Sequence, residues 1–324
     1  MNSNELKVLE LLEKDRHTPL SGSYLAKKLE ISRTAIWKII NKLNAEGHKI
    51  ESSKKGYQLG LDSNIISLQG ISQHLARAID AQNICVLKTT DSTNKIAKEK
   101  ALQGGGHGIV ITADEQTKGC GRNGHAFYSP KGTGVYISFV LKNDLYKRIN
   151  PASITMNAAV VACEAIEKIS DKIPTIKWVN DILIDRKKVG GISTEAITNL
   201  ENGEIEWIVL GIGINVSTSN FPPELETIAT SISPNIPLGL ARNKLLALLI
   251  NSVLDENFGL AFDKTIVEYK KRLGFIGETI KVITPTISYE AEAIDVDEMG
   301  TLIVKNISNE LINLRSGEIT LKKL

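Results

Sequence analysis

Five short blocks of polar residues and glycines stand out in this sequence of 324 residues. They are residues 91–94 (DSTN), 116–125 (QTKGCGRNGH), 177–181 (KWVND), 188–192 (KVGGI) and 211–215 (GIGIN). Glycines let the backbone approach phosphate oxygens closely, and Arg122 and Lys188 supply positive charge that suits phosphate. Asp181 offers a carboxylate able to hold a magnesium ion between phosphates. Together, these residue types suit the binding of an anionic nucleotide beside a small carboxylic acid.

The five blocks, in this order, resemble the motifs of the biotin protein ligase family, specifically those members that also repress biotin genes. The resemblance extends over nearly the whole chain, because the N-terminal segment resembles a DNA-binding domain and the C-terminal segment a small β domain. It implies that ATP and biotin give biotinyl-5′-adenylate and pyrophosphate, and that biotin then passes to a lysine of a biotin carboxyl carrier protein. It also implies Mg²⁺ as a cofactor, operator DNA as a partner, and a homodimer when the adenylate is bound.

By this resemblance, the biotin site combines short polar side chains, a glycine-rich loop, a lysine and later glycines. These residues are Ser92, Thr93, Asn94, Gln116, Gly119, Cys120, Gly121, Arg122, Lys188, Gly191, Gly211 and Gly213. A neutral, planar urea such as that of biotin requires several directional donors and acceptors in a dry pocket, which hydroxyl and amide side chains supply. Without the resemblance, Asp91 or Ser92 would simply cap the amphipathic helix predicted after them. The two interpretations are compatible.

The resemblance also implies an ATP site and a set of catalytic residues. The ATP site would contain Arg122, Phe127, Lys177, Asn180, Asp181, Lys188 and Asn215, with Asp181 as the candidate magnesium ligand. Lys188 and Arg122 would be catalytic, because fixed positive charge offsets the charge that develops on the α-phosphate. The alternative interpretation of Asn180 and Asp181 is a plain β-turn, since both residue types favour turns.

The glycine-rich loop departs from the family pattern at one position. Relatives carry arginines at alternate positions (G-R-G-R), whereas here Arg122 keeps the second and Cys120 replaces the first. A thiol cannot offer the planar fork of donors that arginine presents to a carboxylate or phosphate, and Lys118 would substitute only in part. Two alternatives follow: a DNA-binding biotin sensor with weakened or lost ligase activity, or a ligase whose DNA-binding segment is vestigial. A lipoate-type ligase, which shares the fold, is a third.

Length and composition are those of an ordinary globular protein with two or three domains. Of the residues, 42% are hydrophobic and 23% charged, and the apolar stretch at 245–250 is far too short to span a bilayer. Cys85, Cys120 and Cys163 have no spacing typical of disulfides or metal sites. With no signal peptide visible, these features predict a cytoplasmic protein that does not associate with membranes.

The N-terminal segment predicts a winged helix-turn-helix. Its third helix has apolar residues at positions 36, 39, 40 and 43, which form one face, and a hairpin with a basic tip follows at 48–59. Residues 1–60 hold 11 Lys/Arg and 7 Asp/Glu, an excess of four positive charges, whereas the whole chain has a net charge of +2. The candidate DNA-binding residues are Ser32, Arg33, Thr34, Lys38, Asn41, Lys42, Lys54 and Lys55. We expect Trp37 to be half-buried; a helical domain that binds protein or caps the enzyme is the alternative.

The sequence therefore predicts an α+β protein of three domains. Residues 1–63 would form the winged helix-turn-helix, and residues 64–273 a mixed sheet with helices that resembles biotin and lipoate ligases and class II tRNA synthetases. Residues 274–324 would form a small SH3-like β-barrel, with strands at 279–283, 290–296, 301–304 and 318–321. Residues 217–237, rich in Ser, Thr and Pro, would form a mobile loop.

Overall fold

Of the 324 residues, the computed structural model describes 1–143, 151–199, 201–259, 262–284, 287–315 and 317–321. The described helices and strands form an N-terminal, a central and a C-terminal domain, and together they give an α+β protein. We retain 1–63, 64–273 and 274–324 as proposed boundaries; residues 322–324 lie outside the described part. Within that part, no helix is long and apolar enough to cross a membrane.

The N-terminal domain contains three helices followed by a hairpin of two antiparallel strands. Their bounds are α1 Ser3–Lys14, α2 Gly22–Leu29, α3 Arg33–Ala45, β1 Ile50–Ser53 and β2 Gly56–Leu59. Ser32 caps α3 as predicted, because its hydroxyl accepts a hydrogen bond from the backbone N–H of Ala35 at 3.1 Å. The predicted apolar face of α3 is buried with side chains of α1 and α2. The predicted winged helix-turn-helix is therefore confirmed.

A mixed sheet of seven described strands forms the centre of the second domain. The strands are β3 Ile84–Leu87, β4 Ile109–Ala113, β5 Gly134–Lys142, β6 Thr175–Lys177, β7 Asp181–Ile184, β8 Lys187–Thr198 and β9 Ile205–Asn215. Their order in the sheet is β3-β4-β5-β9-β8-β7-β6, and the pair β3–β4 is parallel whereas the other pairs are antiparallel. The predicted mixed sheet is confirmed, although β3 was not anticipated.

Helices cover both faces of this sheet. They are α4 Leu68–Ser72, α5 Thr93–Leu102, α6 Pro151–Glu167, α7 Leu238–Val253 and α8 Phe262–Lys271. The large core includes α6, α7 and Ile137 of β5, while a smaller core on the other face includes α5 and Val140 of β5. Successive side chains of a strand point to opposite faces, and each face of β5 packs against a core. The sequence of β5 is therefore apolar at almost every position.

The register of the central strands gathers small and polar residues on the α5 face. Ser138 of β5 pairs with Gly211 of β9, and Tyr136 pairs with Gly213. Gly213 pairs in turn with Gly191 of β8. Because directly paired residues point to the same face, these five residues share the face on which α5 begins.

The C-terminal domain is an antiparallel sheet of five described strands. They are β10 Thr279–Ile283, β11 Ser288–Val296, β12 Leu302–Lys305, β13 Leu311–Leu314 and β14 Glu318–Leu321, in the order β13-β12-β11-β10-β14. The small β domain is confirmed, with one strand more than predicted. β13 was missed because it is short and only Leu314 of its four residues is buried.

The linker between the first two domains, residues 60–67, is held from the N-terminal side by Arg16. This side chain is buried, forms an ion pair with Glu13 at 2.7 Å, and donates hydrogen bonds to the backbone oxygens of Gly60 and Ser63. A buried charge is tolerated only where it is paired and hydrogen-bonded. Arg16 satisfies that requirement through the linker backbone.

From the central domain, two residues of α7 hold the same linker. The buried Arg242 donates to the backbone oxygens of Asn64 at 3.1 Å and Gly134 at 2.8 Å, and pairs with Asp114 at 2.6 Å. Asn243 donates to the backbone oxygen of Ile65 at 3.0 Å. The linker is therefore tied to the first turns of α7 and to the start of β5.

Candidate active site

A cavity of about 1010 Å³ opens on the α5 face of the central sheet. This volume lies at the upper end of the range of about 300–1,000 Å³ found for small-molecule sites. Fifteen of the predicted ligand residues line it: Ser92, Thr93, Asn94, Gln116, Cys120, Gly121, Arg122, Phe127, Lys177, Asn180, Asp181, Lys188, Gly191, Gly211 and Gly213. The structure thus brings together side chains from all of the first four blocks and glycines from the fifth.

One end of the cavity carries neutral polar groups from the start of α5. The side-chain oxygen of Gln116 accepts from the backbone N–H of Thr93 at 2.9 Å and lies 3.1 Å from its hydroxyl. The Gln116 amide nitrogen donates to the hydroxyl of Ser129 at 3.0 Å. Ser92 occupies the N-cap position of α5 but makes no capping hydrogen bond through its side chain. The capping interpretation therefore does not account for Ser92.

The glycine-rich loop folds back on itself at the cavity edge. The N–H of Gly121 donates to the backbone oxygen of His125 at 2.7 Å, and Cys120 forms an isolated β-bridge with Ala126. The Cys120 thiol is exposed, and among the described residues its hydrogen-bond partner is the backbone oxygen of the adjacent Gly121, at 3.4 Å. The guanidinium of Arg122 donates to the side-chain oxygen of Asn180 at 3.3 Å. Arg122 is thus held over the cavity by the third block.

The glycines on the α5 face make space for side chains that form the cavity wall. A Cβ on Gly213 would lie 2.6 Å from the ring of Phe127, so only glycine permits this ring position. Phe127 packs edge-on against Tyr136, with ring centroids 6.4 Å apart. A Cβ on Gly191 would lie 3.3 Å from the Lys188 side chain. Phe127 therefore offers a flat apolar surface beside the cationic end of the cavity.

The cationic end is organised around Asp181, which is largely buried at the start of β7. One carboxylate oxygen lies 2.5 Å from the Lys188 ammonium and the other 2.7 Å from that of Lys177. Burial on its own raises the pKa of Asp181, but the positive charges of Lys188 and Lys177 outweigh it and hold this pKa below its usual value. The three residues together carry one net positive charge, and Arg122 adds a second.

The assignment of Asp181 as a magnesium ligand stays a prediction. Each of its oxygens contacts one ammonium group, and a carboxylate has further lone pairs for a cation. Among the described residues, no group of three or more His, Cys, Asp or Glu is placed to hold a metal ion. The arrangement also makes Asp181 a residue that positions two lysines.

Two predicted ligand residues do not line the cavity. Gly119 packs beneath the loop, where a Cβ would lie 2.5 Å from the hydroxyl of Ser129. Asn215 lies at the end of β9 and is turned toward residues 217–237, donating to the backbone oxygen of Thr230 at 3.2 Å. Both residues therefore support the walls of the site from behind.

Sequence reasoning missed several residues that line or support the cavity. Residues 226–228 and the strand β14 contribute to the lining, and the backbone of Lys188 is bridged to Ala229. No local pattern pointed to these residues, because they reach the site through tertiary packing. Ser138 was also missed, although a serine inside the apolar run of β5 was a visible signal.

The predicted DNA-binding residues are all exposed in the N-terminal domain. Arg33, Thr34, Lys38, Asn41 and Lys42 lie on α3, Ser32 lies at its N-cap, and Lys54 and Lys55 lie at the hairpin tip. Trp37 is 54% exposed, which agrees with the expectation of a half-buried side chain. Its position between the exposed residues 33, 34, 38 and 41 makes it part of the exposed surface of α3.

Lys42 is engaged within the domain. Its ammonium lies 2.8 Å from both carboxylate oxygens of the buried Glu5 on α1. Because unpairing it would leave a buried carboxylate without its partner, this lysine ties α3 to α1 and is a poor candidate for DNA contact.

Known proteins resemble this chain along nearly its whole length. The sequence model of the biotin/lipoate A/B protein ligase family matches residues 86–215, and a helix-turn-helix domain model matches residues 4–58. The bifunctional ligase/repressor BirA of Bacillus subtilis is 32% identical over 314 residues, covering 92% of this chain and 93% of the relative. That of Escherichia coli is 28% identical over 334 residues, covering 98% and 99%.

A solved structure also resembles most of this chain. The biotin protein ligase from Aquifex aeolicus, in complex with biotin and ATP, superposes with a TM-score of 0.60 at 25% identity. The match covers 75% of this chain and 100% of that structure. The chain belongs to the family of bifunctional biotin ligase/repressors.

Proposed function

We propose that this chain joins biotin to ATP in the cavity on the α5 face, releasing pyrophosphate, and then transfers biotin to a lysine of a biotin carboxyl carrier protein. One observation carries the proposal: a single cavity joins a cluster of neutral hydrogen-bonding groups to three cations, Arg122, Lys177 and Lys188. The neutral cluster suits a cyclic urea, and the cations suit a carboxylate beside phosphates.

The proposed chemistry needs positioning and charge. In the first step, a carboxylate oxygen of biotin attacks the α-phosphorus of ATP, a P–O bond forms, and pyrophosphate leaves. Lys188 and Arg122 offset the negative charge that develops on the α-phosphate, while Asp181 holds Lys188 and Lys177 in place. In the second step, the carrier lysine amine attacks the carbonyl carbon of the mixed anhydride, and AMP leaves. ATP brings its own magnesium as part of the substrate.

Biotin-dependent exchange of labelled pyrophosphate into ATP tests this proposal directly. We expect exchange with biotin and little with lipoate, because the neutral end of the cavity presents hydroxyl and amide groups that a dithiolane ring cannot use. Equal or faster exchange with lipoate would assign the chain to lipoate-type ligases. Absence of exchange with either acid, in protein that still binds biotin by calorimetry, would make it a sensor without ligase activity.

We further propose that the N-terminal domain binds operator DNA, more tightly when biotinyl-5′-adenylate favours a homodimer. The exposed surface of α3 and the basic hairpin tip support this, since a recognition helix and wing are placed in this way in helix-turn-helix proteins. A homodimer would match a palindromic operator.

Gel-shift titration of a duplex from a biotin-gene promoter tests the DNA proposal. We expect tighter binding with biotin plus ATP than without them. Lys38→Ala should weaken binding and reduce the slope of log affinity against log salt by about 1, as for one lost phosphate contact. Lys7→Ala removes an exposed lysine of α1 and serves as the control. If wild-type protein shifted no duplex in either condition, the domain would be vestigial.

A further inference from the structure

Ser138 is a buried polar residue in the middle of an apolar strand. It lies on β5 with no exposed surface, between Ile137 and Phe139, which are also buried. Burying a hydroxyl costs free energy unless a hydrogen bond compensates. Its partners are not backbone groups but the two side chains that begin α5. The buried hydroxyl of Ser138 is therefore explained by its hydrogen bonds to those side chains.

The hydrogen bond between Ser138 and Asn94 has a determined direction. The Ser138 hydroxyl oxygen lies 2.6 Å from the side-chain oxygen of Asn94. An amide oxygen only accepts, so Ser138 donates its proton to Asn94. The Thr93 hydroxyl lies 2.8 Å from Ser138 and 3.1 Å from the amide oxygen of Gln116, so Thr93 has two alternative partners for its own proton. Ser138 therefore fixes the oxygen end of the Asn94 amide.

Glu195 holds the other end of the same amide. The Asn94 nitrogen donates to a Glu195 carboxylate oxygen at 3.0 Å, and Lys98 pairs with the second oxygen. A carboxylate only accepts, so it fixes which end of the Asn94 amide is nitrogen. Gly211 leaves the space in which this amide lies, because a Cβ there would collide with it. Asn94 is thus gripped at both ends and retains one N–H and one lone pair for a ligand.

We infer that Ser138 and Glu195 are positioning residues of the biotin site, which lock the Asn94 amide in the single donor and acceptor orientation that a cyclic urea requires. The inference rests on the proposed binding of biotin in this cavity. Neither residue needs to touch biotin. Each acts by removing the flipped orientation of the Asn94 amide, which would offer a donor where the urea presents an N–H.

The variants Ser138→Ala and Glu195→Ala test the inference. We expect each to raise the KM for biotin about tenfold, as is typical when one buried acceptor or donor loses its partner, and to leave the KM for ATP within about twofold. The preference for biotin over 2-iminobiotin, whose ring carries a donor in place of the urea oxygen, should fall in parallel. Glu195→Gln keeps an acceptor for Asn94 and should largely restore both values.

The matched control is Ser170→Ala, because the buried Ser170 hydroxyl donates to a backbone oxygen, that of Ile166, at 2.9 Å, and Ser170 does not line the cavity. It should change neither KM. Equal changes in both KM values, or no change in either, for the Ser138 and Glu195 variants would overturn the inference. If Ser138→Ala failed to fold, Glu195→Ala would test the inference alone, because the Glu195 side chain is 37% exposed and its loss is less disruptive. A wild-type protein without biotin-dependent exchange would instead refute the proposed function.

Discussion

Replacing Lys188 with alanine is expected to lower biotin-dependent pyrophosphate exchange about a hundredfold while the protein stays folded. Losing one fixed donor that acts on developing charge typically costs ~3 kcal/mol of transition-state stabilisation. Lys188 has that position, because its ammonium lines the cavity and is held 2.5 Å from Asp181. Without Lys188, the charges of Asp181 and Lys177 cancel. Arg122 is then the remaining net positive charge at the cationic end of the cavity.

The control for Lys188 is Lys270→Ala, since Lys270 also pairs with an aspartate, Asp295, at 2.8 Å but does not line the cavity. It should exchange at the wild-type rate. Thermal unfolding of both variants separates loss of catalysis from loss of fold. A fall of less than about threefold for Lys188→Ala would be below the effect of a single charged donor. The catalytic role would then pass to Arg122 or Lys187.

Cys120→Arg is expected to slow the release of biotinyl-5′-adenylate by about tenfold or more. The thiol lies exposed at the cavity, and its hydrogen bond within the described part of the chain is to its neighbour Gly121. An arginine in its place would bring charge-assisted hydrogen bonds to the ligand carboxylate or phosphate, each worth about 1.5–3 kcal/mol. Additional hydrogen bonds to the ligand stabilise the closed loop, so the dissociation rate of labelled adenylate should fall.

Two variants control for this effect. Cys85→Arg adds the same side chain at another exposed cysteine, outside the cavity, and should leave the release rate unchanged. Cys120→Ala removes the thiol without adding charge and should behave as the wild type. Unchanged or faster release from Cys120→Arg would mean that Lys118 or Arg122 already provides the grip of the loop.

The sequence predicted the parts of the fold that local patterns determine. The apolar spacing of α3 and the alternation in the C-terminal strands each gave the correct element, since they reflect burial on one face. The apolar run of β9 also gave the correct strand, which is buried on both faces. Strands β3 and β13 were missed because both are short and mostly unburied.

The candidate site could be predicted as a set of residues but not as an arrangement. Asp181 alone suggested a magnesium ligand, and only the fold brings two lysines to its oxygens. The sequence predicted Lys42 as a DNA contact, whereas the structure pairs it with Glu5, 37 residues away in the chain. Such pairings depend on tertiary contacts, which periodicity and motif spacing do not encode.

The way the linker is held bears on how this chain can change in evolution. Arg16, Arg242 and Asn243 reach its backbone oxygens rather than its side chains. These contacts constrain the number of residues at positions 60–67, while the buried side chains of Ser63, Ile66 and Ser67 constrain the residue types at those positions. One inserted residue adds up to about 3.5 Å of chain, enough to carry the carbonyls out of hydrogen-bond reach of both arginines. The N-terminal DNA-binding domain can therefore be exchanged between such ligases only where recombination preserves the length of the linker at residues 60–67.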